Sequence, residues 1–94
     1  MYDELVNLFG GLLSKVLDKP SIACKGLFRY AIKDYERKNE KELGKFLNYK
    51  DFEKIISESI RIRLEWINFE NIDKIIAQMM DELVQHQAIF TLLP

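Results

Sequence analysis

Ninety-four residues, 48% hydrophobic and 31% charged, are enough for one small core and leave no room for a second. The composition excludes disorder, and no apolar run approaches the ~20 residues that span a bilayer. Fourteen basic against fifteen acidic residues leave a net charge of −1, which removes any global electrostatic attraction for nucleic acid.

Cys24 is the only cysteine, so it forms no internal disulfide. Together, Cys24 and His86 give neither the number nor the spacing of ligands that zinc requires, and no metal or cofactor is expected. The N-terminus, MYDELVNLF, is acidic where a secretory signal is basic, which predicts a cytoplasmic protein. Eleven isoleucines and ten lysines fit a thermophile and an AT-rich genome equally.

The first predicted helix covers about Tyr2 to Asp18. At ~100° per residue, Leu5, Leu8, Phe9, Leu12, Leu13, Val16 and Leu17 fill about half its circumference without a charge. Gly10 and Gly11 lie outside that arc. They mark either a weak point facing solvent, at ~1 kcal/mol each, or a close approach by another helix. Lys19-Pro20-Ser21 breaks the chain, because the residue before proline is pushed out of the α region.

A second helix is predicted from about Ser21 to Lys38. Its apolar side carries Ala23, Cys24, Leu27, Phe28, Tyr30, Ala31, Ile32 and Tyr35. NEKELGKFLN, residues 39–48, reads as a connection with one short turn, capped by Asn39, with Glu42 at its third position and Gly44 at its end.

The third helix is expected over about Lys50 to Ile67, capped by Asn48 or Asp51. Lys54, Glu58, Arg61 and Glu65 recur at helical spacing with alternating sign, the pattern of a solvated face. The fourth runs from Asn68 or Asn71 to about Phe90. Its seam Ile72, Ile76, Met79, Leu83, His86, Phe90 alternates four and three, as in helices packed at a shallow angle. An all-α, four-helix bundle-like single domain over residues 1–94 is therefore expected.

Three titratable residues fall inside these apolar arcs. They are Asp34 on the second helix, Arg63 on the third with Ser59 beside it, and His86 on the fourth. An unpaired buried charge is costly, so each needs a reason. The economical reading is a carboxylate–guanidinium pair between Asp34 and Arg63, with His86 or Ser59 completing its hydrogen bonds. The sharper reading is a site in which Asp34, Arg63 and His86 bind an anion or move a proton. No serine–histidine spacing or phosphate-cradling glycine loop accompanies it.

SIACKGLFRYAIKDYERK has a small residue followed by glycine, as in a helix-turn-helix, but the spacing is one residue short. Lys25, Arg29, Lys33 and Arg37 line its outer side, interrupted by Glu36 and followed by Glu40 and Glu42, so nucleic acid is not the expected partner. Protein is. Leu5, Leu8, Leu12 and Val16, with Met80, Val84, Ile89, Phe90, Leu92 and Leu93, offer more apolar surface than four short helices need for one core. Ala77 adds to the edge formed by Met80 and Val84, and Met79–Met80 provides adaptable packing. These residues predict a non-catalytic interaction or regulatory domain, acting as a homodimer or as a small subunit of a larger assembly. A nucleic-acid-binding regulator is the first alternative. A small enzyme or ligand sensor using Asp34, Arg63 and His86 is the second.

Overall fold

Apolar residues at helical spacing build four long helical rods in the computed structural model, which describes residues 2–43 and 47–92. The first two are α1 (Tyr2–Leu17) and α2 (Ser21–Lys38). The third is continuous but has three parts: α3 (Tyr49–Lys54), a π-helical stretch (Ile55–Ile60) and α4 (Arg61–Trp66). Then come α5 (Ile72–Gln85) and the short α6 (Ala88–Leu92). The described residues contain no strand, and none of their helices is long and apolar enough to cross a membrane. A radius of gyration of 12.3 Å matches the ~12 Å of a compact chain of this length.

Four phenylalanines meet at the centre. Phe9 of α1 and Phe28 of α2 both lie on Phe52 of α3, with ring centroids 4.9 and 5.8 Å away. Phe90 of α6 reaches the same ring at 5.8 Å. Offset and tilted aromatic pairs of this kind add ~0.5–1.5 kcal/mol beyond the area they bury. Leu5, Val6, Leu13, Ile32, Ile56, Ile60, Leu64, Met79 and Leu83 complete a core drawn from every long rod. Leu5, expected at an interface between molecules, is 1% exposed. The internal core consumes it, because α1 lies along α2 and against α5.

Gly10 explains how closely α1 and α2 approach. A Cβ built there would stand 2.5 Å from Lys25 Cγ and 3.0 Å from Lys25 Cα. Around Gly11 nothing lies within 4 Å. The first glycine makes the close contact, and the second faces open space.

Three rods end alike. Asp18, Glu40 and Asn68 adopt left-handed φ of 55°, 51° and 56°. The next backbone N–H then reaches back five residues: Lys19 to Ser14, Lys41 to Glu36 and Phe69 to Leu64, at 3.2, 3.0 and 3.0 Å. This satisfies carbonyls that a helix end leaves orphaned. Asn39 therefore closes α2, with its backbone N–H and its side-chain Nδ2 both donating to the Tyr35 carbonyl at 3.0 and 2.9 Å. It does not cap a following turn. Gly44 lies outside the described residues.

The π stretch departs from the expected periodicity. Its wider i→i+5 hydrogen bonding turns the pairs Ile55–Ile56 and Ser59–Ile60 inward, and all four are buried. Beyond it the register is displaced by about one residue. Leu64 takes the inward place that a regular helix would give Arg63, and Ile62 becomes 39% exposed.

Candidate functional site

Asp34 and Arg63 face each other across the contact between α2 and α4. Arg63 Nε donates to Asp34 Oδ2 at 2.7 Å and Nη2 to Oδ1 at 2.9 Å. This is the bidentate geometry that suits a planar guanidinium to a carboxylate. Arg37 Nη2 adds a third donor to Oδ1 at 2.7 Å. The pair sits at the rim rather than in the core, with the Arg63 and Asp34 side chains 22% and 26% exposed. The hydrogen bond from Arg63 holds the Asp34 carboxyl below the usual range against the opposing effect of burial, helped by the charge of Arg63 and by Arg37.

Two aromatic rings flank the same guanidinium. Arg63 Cζ lies 4.8 Å from the Trp66 ring centroid and 5.2 Å from that of Tyr30. Both positions are cation–π geometry. Trp66 is nevertheless 67% exposed and Tyr30 60%. Neither ring is a polar residue within an apolar arc. Spacing still carries a signal: Tyr30 precedes Asp34 by one helical turn, and Trp66 follows Arg63 by one, so each pair shares a helix face.

Beside this cluster, α2 and the π stretch enclose a groove of about 320 Å³, lined by Tyr35, Lys38, Lys54, Ser59, Ile62 and Trp66 among others. Ser59 is buried at 6% exposure and lines the groove with Asp34. Lys38 Nζ stands 3.9 Å from the Glu58 carboxylate across its mouth.

His86 does not join Asp34 and Arg63. Helix α5 ends at Gln85, so the seam expected to continue through His86 is interrupted there. The imidazole Nδ1 lies 2.8 Å from the Glu82 carbonyl. A carbonyl only accepts, so Nδ1 carries the proton of that bond. The ring stands edge-on to Phe9 with centroids 5.9 Å apart. Phe9 contacts Phe52, which is eleven residues, or ~16 Å, along the third rod from Arg63. His86 is thus a residue packed at a helix end, and an Asp34–Arg63–His86 constellation does not form.

A second polar cluster was hidden in the sequence. The buried Tyr35 hydroxyl donates to Asp51 Oδ1 at 2.7 Å. Lys41 Nζ approaches the same oxygen at 2.9 Å, and the Asp51 N–H donates to Asn48 Oδ1 at 2.8 Å. Burial pushes the Tyr35 hydroxyl up to about 12, reinforced by its bond to Asp51. Burial alone would raise the Asp51 carboxyl, but hydrogen bonds from Lys41 and Tyr35 outweigh it and the net shift is downward. Asn48 is the cap of α3, and Asp51 is the residue whose N–H it receives. A tyrosine in an apolar arc needs a partner for its hydroxyl, and that was the available clue.

The remaining predicted interface residues divide. Leu8, Leu12, Val16, Met80, Ile89 and Phe90 are partly buried against the core. Val84 is 56% exposed. Leu93 and the side chain of Leu92 lie outside the described residues. Helix α2 runs unbroken through Gly26, so the segment has no helix-turn-helix bend. Among the described residues no three His, Cys, Asp or Glu side chains cluster as a metal ion would need. No protein-family model, curated protein or solved structure matches this chain.

Proposed function

We propose that this chain is a non-catalytic helical interaction or regulatory domain, a four-helix bundle-like unit acting in the cytoplasm as a homodimer or as a small subunit of a larger protein assembly. The observation that carries this reading is the exposed Trp66–Arg63–Tyr30 stack, held in place by Asp34. Tryptophan, tyrosine and arginine are the side chains most enriched at interface hot spots. Here the arginine is already fixed, so less side-chain freedom is lost on binding. Ile62, at 39% exposure, lines the same groove as Trp66. The working surface is therefore the α2–α4 corner, rather than the Leu5–Val16 face of α1.

An enzymatic role has less support, because both Asp34 oxygens already accept guanidinium hydrogen bonds and His86 packs elsewhere. Exposed Arg29, Lys33 and Arg37 next to Tyr30 favour nucleic acid as the second reading. A photoreactive amino acid at Ile62 in living cells separates the two. Protein adducts at position 62, and none from a control at the exposed Lys19, are expected. Nuclease-sensitive adducts at 62 would favour nucleic acid, and no adducts would contradict the interaction role.

A further inference from the structure

Among the described residues the core leaves six large hydrophobic side chains exposed: Ile22, Tyr30, Ile62, Trp66, Ile67 and Val84. Ile62 and Trp66 line the groove between α2 and the π stretch. Val84 belongs to a different surface, the outer edge of α5. That edge carries Ala77, Met80, Asp81 and Val84, with Ala77, Asp81 and Val84 exposed and Met80 half-buried. Their spacing of i, i+3, i+4 and i+7 is that of an amphipathic helix which lays one face into a groove. It is distinct from the inward face of α5, formed by Ile75, Ile76, Met79 and Leu83.

The two surfaces complement each other in charge. Around the groove stand Lys38 and Lys54, with Arg37 and Arg63 on Asp34 behind them. Against these four cations are two anions, Asp34 and Glu58. Asp34 is occupied by both arginines, and Glu58 faces Lys38. The chain as a whole has more acidic than basic residues, so this corner opposes the charge of the remainder. The α5 edge has the other sign. Asp81 is exposed and makes no ion pair with another described residue.

We infer that a second copy of this chain seats the Ala77–Met80–Asp81–Val84 edge of its α5 in the groove, with Met80 and Val84 against Ile62 and Trp66 and the Asp81 carboxylate between Lys38 and Lys54. A groove of about 320 Å³ suits the side chains of one or two helical turns. The contact covers three of the six large hydrophobics exposed among the described residues: Ile62, Trp66 and Val84. Two different surfaces meet, so the association is head-to-tail in kind, closing into a ring or extending according to the rotation between copies. This inference rests on the interaction role proposed above and names its partner.

A charge-swap experiment by equilibrium sedimentation, from micromolar to millimolar concentration, tests it. The wild-type chain is expected to self-associate, more weakly as salt rises. Lys38→Glu/Lys54→Glu and Asp81→Lys should each weaken association at least tenfold while keeping the helical circular-dichroism spectrum. Mixed together, the two variants should re-associate, because an acidic groove then meets a basic edge. Emission of Trp66, the only tryptophan, should shift to the blue as the mixture forms.

A wild-type chain that stays monomeric overturns the inference, and the crosslinking at Ile62 then decides the broader role alone. Association that ignores both substitutions, or a mixture that stays apart, places the contact elsewhere and also overturns it. Blue-shifted Trp66 emission on adding polyuridylate or an unrelated acidic peptide, without self-association, assigns the groove to another occupant and refutes the second copy.

Discussion

Asp34 accepts two parallel hydrogen bonds from Arg63, at 2.7 and 2.9 Å, while Trp66 and Tyr30 cover the guanidinium without being covered themselves. The ion pair thus has two roles. It joins α2 to α4, and it holds two exposed rings around a fixed cation. Because the pair lies at the rim, water screens it and its coupling should be ~1 kcal/mol. A double-mutant cycle with Asp34→Asn and Arg63→Met, followed by urea denaturation, measures it. A coupling several times larger would place the pair in the core.

The same pair sets a pH dependence. Arg63 lowers the Asp34 carboxyl below its unfolded value, so the folded state favours the charged form. Its stabilising contribution is complete above the unfolded pKa of ~3.9 and is lost as pH falls through the lower folded value. The buried Asp51 acts in the same direction. Acid unfolding curves should become shallower in Asp34→Asn and in Asp51→Asn, with Asp51→Asn costing more at neutral pH.

Tyr35 titrates at the opposite end. Its hydroxyl is pushed up to about 12, so folding favours the protonated form. The contribution is intact below the ordinary tyrosine pKa of ~10 and disappears between there and about 12. An ultraviolet titration should find Tyr35 ionising at about 12, together with loss of helix. Tyr35→Phe should remove that step and cost ~1–3 kcal/mol, since the buried Asp51 loses a donor.

The neighbouring glycines should respond with opposite sign. Gly10→Ala forces its new methyl group into Lys25 and should destabilise by ~1–3 kcal/mol despite the better helix former. Gly11→Ala meets open space and should stabilise by up to ~1 kcal/mol. Thermal unfolding of the two variants makes the comparison, and equal effects would contradict the α1–α2 contact.

The helical rods and the Asp34–Arg63 pair were legible because both depend on local periodicity: two opposite charges inside apolar arcs of successive helices have few other partners. Three features were not legible. The π stretch shifts the register by about one residue, and no apolar pattern signals an i→i+5 bond, so the expected arc sets Arg63 deeper than the rim position it holds. The Tyr35–Asp51 bond spans sixteen residues across a connection whose path the sequence leaves open. His86 lies on a seam that is regular only if the helix continues, and α5 ends one residue before it. Tyr30 belongs to the apolar side expected of α2, yet it is 60% exposed and turns to Arg63 instead. Polar residues within apolar arcs do not point to Trp66, an aromatic residue facing water.

That exposure makes Trp66 the most direct test. Trp66→Ala and the wild-type chain are compared by sedimentation equilibrium, with urea denaturation of both as the control for folding. A side chain that is 67% exposed contributes little to the core, so unfolding free energy should change by less than ~1 kcal/mol. Association should weaken at least tenfold. A variant that associates as well as the wild type but loses several kcal/mol of stability would make Trp66 a structural lid on Arg63 and contradict the interaction surface.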